Sequence, residues 1–257
     1  MKHGDFTGLA EDYSSYRPDY APAVLNAIIG IVGKQVPNID AVDVGAGTGI
    51  WTRMVVESGV NSMIAVEPND DMRDQGANYP GNRNILWKKG SGEVTGLSSQ
   101  SADLLSMASS FHWVDFDKGV VEFSRVLRPG GCFVALWNPR FIESNPLLVE
   151  IEAHLATLKG EEIKRVSSGR SDFTETLTER LESCGEFSEV AYIESKHMIP
   201  FTPERYIGVW RSVNDLRVQL GVEKFFQFLT WVEQRIEGLN VIEATYLTRA
   251  WVARKPI

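Results

Sequence analysis

Short apolar runs alternate with longer amphipathic segments through the first half of the chain. Five of the runs predict strands, at 41–44, 63–67, 84–89, 102–108 and 132–137. Helical patterns lie between several of them, most clearly at 50–57, and a further one at 22–32 precedes the first strand. This alternation predicts an α/β fold with a doubly wound, mostly parallel sheet of Rossmann-like type.

The second half of the chain is less regular. Helical patterns cover 146–159, 173–183, 203–220 and 223–237, and alternating apolar and polar positions occur at 187–199 and 240–254. The two alternating runs predict late strands that form an antiparallel edge of the sheet, which brings the expected number of strands to seven. Ligands of such sheets bind beyond the carboxyl ends of the strands, where the strand order reverses.

Composition narrows the function without deciding it. The 257 residues carry 34 acidic and 26 basic side chains, a net charge of −8 that repels polyanions and disfavours nucleic acid as a partner. The two cysteines and four histidines show no metal-ligand spacing, so no metal is expected. The sequence has neither a secretory signal nor an apolar run of membrane-spanning length, which predicts a cytoplasmic protein that does not insert in a membrane.

The strongest chemical signal is DVGAGTG at 43–49, between a predicted strand and a predicted helix. Glycines let the backbone approach a ligand closely, and the helix start offers free N–H groups. The spacing is G-x-G-x-G and not the G-x-G-x-x-G of dinucleotide folds, because Ile50 stands at the third glycine position. Asp43 suits a cationic sulfonium amino acid better than a pyrophosphate. A purely structural turn is the alternative.

Glu67 is the second signal, at the end of the second predicted strand and 20 residues beyond Gly47. An acidic side chain there can accept hydrogen bonds from both hydroxyls of a ribose. The alternative is a solvated carboxylate that caps the next helix, for which Asp70 and Asp71 are also typical entry residues.

These segments resemble the class I methyltransferases that use S-adenosylmethionine, of the methyltransferase type 11-like kind. VDVGAGTGIWT looks like the family's first motif and IAVEPNDDM like its second, while GSGEVTGL resembles the loop beside the adenine. SADLLSMASSFHWVD and RVLRPGGCFVALWNP resemble the regions of the fourth and fifth strands. FHWVD and the early YRPDY are similar to a trans-aconitate methyltransferase-like subgroup.

The resemblance implies S-adenosylmethionine as the methyl donor, S-adenosylhomocysteine as the product, and direct in-line transfer to an oxygen, nitrogen or carboxylate of a small molecule. It implies a donor site made of Tyr16, Arg17, Asp43, Gly45, Ala46, Gly47, Glu67, Ser91, Gly92, Glu93 and Ser109. Ser91 stands where many family members have an acidic residue against the adenine amine. The adenine contact is therefore expected from backbone groups of Ser91 and Gly92, with Glu93 as a structural pairing residue.

His112 is the candidate catalytic residue, since an imidazole near neutral pKa can accept a proton. The alternative is that His112 only orients the acceptor, with positioning supplying most of the catalysis. The resemblance also implies that the arm holding Tyr13, Tyr16, Arg17 and Tyr20 folds over the donor; the alternative is an arm that merely packs on the core. The expected acceptor-binding residues are Tyr13, His112, Trp113, Trp137, Asn138 and Trp210, and Arg140 or Arg211 could pair with a carboxylate.

The resulting expectation is an enzyme built in two parts, with an N-terminal arm and S-adenosylmethionine-binding core at 1–140. Residues 141–257 then supply substrate-covering helices and the final strands of the same sheet. A monomer or homodimer is expected. Two alternatives stay open: a non-catalytic protein or partner subunit that retains the donor pocket, and, disfavoured by the glycine spacing, a nicotinamide-dependent oxidoreductase.

Overall fold

Seven strands form one sheet in the order β3-β2-β1-β4-β5-β7-β6. The computed structural model describes residues 10–81, 84–160, 163 and 172–257. The strands are β1 Asp40–Val44, β2 Ser62–Val66, β3 Ile85–Lys88, β4 Ala102–Ala108, β5 Leu127–Trp137, β6 Glu189–Phe201 and β7 Ile242–Arg254. Strands β1 to β5 pair in parallel, and β7 runs antiparallel to both β5 and β6. The predicted doubly wound, mostly parallel sheet with a late antiparallel edge is confirmed.

Helices flank this sheet on both faces and extend beyond it. They are α1 Ala10–Tyr16, α2 Pro22–Val32, α3 Ile50–Glu57, α4 Asp70–Asn78, α5 Phe116–Val126, α6 Pro146–Lys159, α7 Asp172–Glu175, α8 Leu177–Ser183, α9 Pro203–Arg211 and α10 Asn214–Arg235. Their starts follow from local sequence: the Asn69 side chain accepts from the N–H of Met72, and the Thr202 hydroxyl accepts from that of Arg205.

The buried apolar side chains form three clusters. Successive residues of the parallel strands, such as Leu104 and Leu105, belong to different clusters because their side chains face opposite sides of the sheet. The third cluster lies among α6, α9, α10 and β7, around Trp210 and Phe228. The late helices therefore have a core of their own, closed against the strand that completes the sheet.

Two stretches differ from the sequence-based expectations. Part of the N-terminal arm, expected only as a polar segment, is the helix α1. The prediction of one helix over 203–220 is wrong, because α9 ends at Arg211 and Val213 is extended. The Ser212 hydroxyl bonds to the carbonyl of Val209, 2.6 Å away, and such side-chain bonds compete with helical ones. Within α10, Gly221 has non-helical angles, with φ 75° and ψ 166°.

The strand order reverses between β1 and β4, which are neighbours in the sheet. From β1 the chain continues to β2 and β3 on one side, and from β4 it continues to β5 on the other. The loops that leave β1 and β4 therefore diverge and open a crevice at their carboxyl ends, where ligands of doubly wound sheets bind. No described helix is long and apolar enough to cross a bilayer.

The contact between α1 and α9 rests on a glycine. A Cβ on Gly208 would lie 2.2 Å from Cγ of Tyr16, whereas one on Gly30 in α2 would meet nothing within 4 Å. Both Gly→Ala changes gain helix propensity of about 1 kcal/mol. We expect Gly30→Ala to stabilise the protein by about that amount and Gly208→Ala to destabilise it by about 1–3 kcal/mol through overpacking. Urea unfolding measures both; an equal gain in the two variants would contradict the contact.

Candidate functional site

Left-handed backbone angles explain the three glycines of the loop after β1. Gly45, Gly47 and Gly49 have φ values of 67°, 57° and 82°, which other residues adopt only at a cost. The N–H groups of Gly45 and Ala46 both donate to the carbonyl oxygen of Val66, at 2.8 and 3.2 Å. The loop is thereby folded back over the end of β2.

Glu67 joins the loops that follow β1 and β2. One carboxylate oxygen accepts the N–H of Gly47 and the other that of Asn69, each at 2.8 Å. Only 6% of the residue is exposed, and burial raises the pKa of Glu67 although the two N–H groups oppose the shift. The side chain is thus not a solvated helix cap. Each oxygen retains a lone pair for a further donor.

Asp43 lies behind the glycine loop and does not line the cavity. Its carboxylate accepts the hydroxyls of Thr52, at 2.6 Å, and Ser106, at 3.1 Å. Burial raises the pKa of Asp43 to about 7, and the nearby charge of Glu67 acts in the same direction. The structure thus places Asp43 as a buried group that braces β1 against α3 and β4.

The loop after β3 brings Ser91, Gly92 and Glu93 to the same crevice. A Cβ on Gly92 would lie 2.4 Å from Cγ2 of Val114, so the backbone passes directly against the segment after β4. Glu93 accepts the N–H of Asp115 at 3.0 Å. This bond matches the structural pairing role expected for Glu93.

Ser109 follows β4 with an unusual backbone. Its φ of 56° is positive, and such a conformation costs a non-glycine residue about 1–3 kcal/mol. Its N–H donates to the carbonyl of Leu136 at 2.7 Å, and its hydroxyl lies 2.9 Å from the hydroxyl of Tyr20. The strained position therefore faces the arm across the crevice.

The arm is fastened to the late helices and lines the cavity as well. The Arg17 guanidinium donates to the hydroxyl of Ser212 at 2.8 Å and stands 4.8 Å from the ring centre of Tyr13. Tyr16 packs on Gly208 and does not line the cavity, whereas Tyr13 and Arg17 do. Both readings of the arm thus have structural support: it packs on the protein, and it forms a wall of the site.

His112 lies in the short 3₁₀ turn Phe111–Trp113 after β4. Its Nδ1 is 3.2 Å from the indole nitrogen of Trp137, and its ring centre is 4.5 Å from that of Trp113. Burial lowers the pKa of His112 to about 4, against a smaller opposing effect of Asp215. Trp113 lines the cavity; His112 and Trp137 lie in the layer behind it.

The other acceptor candidates divide between the cavity and the late core. Asn138 lines the cavity and donates to the carbonyl of Asp19 at 2.9 Å. Trp210 is buried in the third cluster, with the Arg140 guanidinium 3.8 Å from its ring centre. Arg211 pairs with Glu233 at the surface, 3.2 Å away. Trp210 and both arginines are therefore absent from the cavity wall.

One cavity of about 270 Å³ collects most of the candidates. Those that line it are Tyr13, Arg17, Gly45, Ala46, Gly47, Glu67, Ser91, Gly92, Glu93, Ser109, Trp113 and Asn138. It lies at the reversal of strand order, between the glycine loop and the segment after β4. In the described part of the chain, no group of His, Cys, Asp and Glu side chains is arranged to hold a metal ion.

The cavity also has walls that sequence reasoning did not assign. Trp51 and Met72 come from the first turns of α3 and α4, and Tyr246 comes from β7. The first two follow the donor motifs directly, so their position after each loop was a usable signal. Tyr246 is brought in only by strand pairing, for which the local sequence offers no signal.

Comparison with known proteins finds similarity to methyltransferases over about half of the chain. Residues 42–135 match the model of a methyltransferase domain. An uncharacterized methyltransferase of Mycobacterium bovis is 35% identical over 129 residues, which cover 50% of this chain and 49% of the relative. One from Schizosaccharomyces pombe is 31% identical over 133 residues, 50% of each chain. The chain thus spans about half the length of the curated relatives it matches.

Solved structures share the fold at low sequence identity. A protein of Anaeromyxobacter dehalogenans, provisionally assigned as a type II methyltransferase, has a TM-score of 0.72 at 20% identity, covering 95% of this chain and all of that one. Phosphoethanolamine N-methyltransferase 2 of Haemonchus contortus, solved with S-adenosyl-L-methionine, has a TM-score of 0.55 at 12% identity, covering all of this chain and 59% of that one.

The buried imidazole of His112 makes stability depend on pH. Its pKa of about 4 lies below the ordinary 6.5, so the unfolded chain binds this proton more readily than the folded protein. The resulting stability is fully present above pH 6.5 and is lost as the pH falls toward 4. Between these pH values, unfolding free energy should fall by up to about 3 kcal/mol more in the unsubstituted protein than in His112→Gln. Urea unfolding measures both proteins at each pH, and an identical pH dependence of the unfolding free energy in the two would refute this.

Proposed function

We infer that this chain is a class I S-adenosylmethionine-dependent methyltransferase, an inference that the domain match and the relatives support. We propose that this chain binds S-adenosylmethionine in the cavity at the strand reversal and transfers its methyl group to an oxygen, nitrogen or carboxylate of a small molecule. The observation that carries the proposal is the convergence of the glycine loop and Glu67 on that cavity. Membership of the trans-aconitate methyltransferase-like subgroup is part of the proposal.

The residues present fit the donor. At Gly45 a Cβ would lie 2.7 Å from Cβ of Ser110, so only a residue without a side chain fits between the loop and the segment after β4. The second lone pairs of the Glu67 carboxylate are suited to two ribose hydroxyls. Ser91 and Gly92 stand on the next loop, where the adenine would extend. When bound, the donor supplies an electrophilic methyl group on a positively charged sulfur.

The chain's own contribution is then mainly positioning and exclusion of water. Tyr13 and Arg17 close the cavity from the arm, and Asn138 closes it from the end of β5. Reactions between aligned groups gain most of their rate from such fixed geometry. We assign the donor core to 1–140 and the acceptor cover to 141–257. Two contacts support a covering role for the second segment: Ser212 accepts a hydrogen bond from Arg17 of the arm, and Tyr246 lines the cavity.

Binding of the donor is tested by calorimetric titration with S-adenosylmethionine and S-adenosylhomocysteine, with NADH as the control ligand. We expect dissociation constants in the micromolar range, about −8 kcal/mol, and no binding of NADH. A subsequent screen of small-molecule acceptors for methyl transfer separates the enzyme from a non-catalytic binding protein. Folded protein that binds NADH and neither adenosyl compound would refute the donor assignment.

A matched pair of variants tests the place of binding. Gly47 lines the cavity, while Gly33 is exposed after α2, and both have positive φ values, 57° and 73°. Gly47→Arg and Gly33→Arg thus impose the same kind of backbone strain. We expect Gly47→Arg to abolish binding of S-adenosylhomocysteine by filling the loop, and Gly33→Arg to bind it as the unsubstituted protein does. Undiminished binding by folded Gly47→Arg would place the donor elsewhere.

A further inference from the structure

The tautomer of His112 is set by its neighbour Trp137. The indole nitrogen of Trp137 lies 3.2 Å from Nδ1 of His112. An indole N–H is a donor and has no lone pair to accept a hydrogen bond. Nδ1 must therefore be the accepting nitrogen, without a proton of its own. Since a neutral imidazole carries one N–H, that proton resides on Nε2.

The surroundings hold the ring in this form. Trp137 is 1% exposed and packs edge-to-face with Trp251, with ring centres 5.6 Å apart, so the donating indole is itself fixed. Burial keeps the pKa of His112 at about 4, so the doubly protonated ring is rare at neutral pH. Asp215, at the start of α10, is the charged group that acts on the ring. A negative charge there also favours a proton on the imidazole.

Nε2 is buried and has no hydrogen-bond partner among the described residues. An unsatisfied buried donor is unfavourable, and native proteins rarely retain one without a use. The turn that carries it runs from Ser110 to Val114, and Ser110, Trp113 and Val114 line the cavity. The unpaired N–H thus belongs to the layer directly behind the cavity wall.

Few of the side chains that line the cavity could take up a proton from the acceptor near neutral pH. Of its two carboxylates, Glu67 accepts backbone N–H groups on both oxygens, and Glu93 accepts the N–H of Asp115. Of the three tyrosines that line the cavity, burial raises the pKa of Tyr20 and of Tyr246, which keeps these two phenols protonated.

We propose that Trp137 fixes His112 as the Nε2–H tautomer, and that the ring, held behind the cavity wall, does not remove the acceptor's proton but supports Trp113, which lines the cavity. The second half rests on the proposed function. The imidazole keeps its proton while the methyl–sulfur bond breaks and the bond to the acceptor forms. An acceptor with a proton to lose releases it to water. His112 is therefore a positioning residue that acts through Trp113, whose ring centre lies 4.5 Å from that of the imidazole.

Nuclear magnetic resonance of protein labelled with ¹⁵N-histidine tests the tautomer without any acceptor. Long-range proton–nitrogen correlation distinguishes the two neutral tautomers from the imidazolium, and His112→Gln assigns the signals. We expect a protonated Nε2 and an unprotonated Nδ1 throughout pH 5.5–8.5, and a mixture of tautomers in Trp137→Phe. A protonated Nδ1, or an imidazolium that titrates within this range, overturns the proposal from the unsubstituted protein alone.

Kinetics test the role with the first acceptor that the methyl-transfer screen yields. Glutamine has an oxygen that can accept the N–H of Trp137 but is no base at neutral pH, whereas leucine can neither accept that N–H nor act as a base. We expect His112→Gln to retain kcat/KM within about 10-fold, with an unchanged pH profile, and His112→Leu to lose more. If both variants lose about 10²–10⁴-fold, the histidine acts as a base and the proposal is overturned.

Binding of S-adenosylhomocysteine keeps the two proposals apart. Both His112 variants should bind it as the unsubstituted protein does, because His112 does not line the cavity. If the unsubstituted protein does not bind S-adenosylhomocysteine, the proposed function is refuted and the tautomer result still holds. The wrong tautomer in a protein that binds S-adenosylhomocysteine would refute the role of His112 alone.

Discussion

The site depends on one buried carboxylate that holds two loops together. Glu67 receives an N–H from the loop after β1 and another from the loop after β2. Without it, both partly buried N–H groups would lose their acceptor, which is unfavourable for backbone groups. The same carboxylate closes one wall of the cavity. A group needed for the shape of the site is thus also the group that we propose receives the ribose.

The second constraint is that the acceptor side is assembled from distant parts of the chain. Asn138 donates to the carbonyl of Asp19, and its own oxygen accepts the hydroxyl of Thr248 at 2.8 Å. That hydroxyl in turn accepts the N–H of Ala21. The end of the arm is thereby bonded to both β5 and β7. A substitution in β7 at Thr248 would therefore also change the hydrogen bonds that hold the arm beside the proposed donor cavity.

Much of the donor half could be predicted from the sequence because its determinants are local. Positive φ angles at Gly45, Gly47 and Gly49 favour glycine at those positions, so the motif directly reflects the shape of the loop. Strand periodicity was equally informative: every predicted strand was found, although β5 already begins at Leu127 and includes the predicted turn before Cys132. Asp43 shows the limit of this reasoning: its place in the motif suggested a ligand contact, but its hydrogen-bond partners Thr52 and Ser106 lie on neighbouring elements.

The acceptor half was less predictable because its chemistry is decided by tertiary contacts. From sequence, His112 had equal claims as a base and as an orienting group, since an isolated imidazole can serve as either. The difference lies in which ring nitrogen already has a hydrogen-bond partner, and that is decided by Trp137, 25 residues away at the end of β5. Tyr246 likewise reaches the cavity only through the pairing of β7. Motifs therefore carry the proposal for the donor, whereas the acceptor side must be inferred from hydrogen bonds between elements that the sequence does not place side by side.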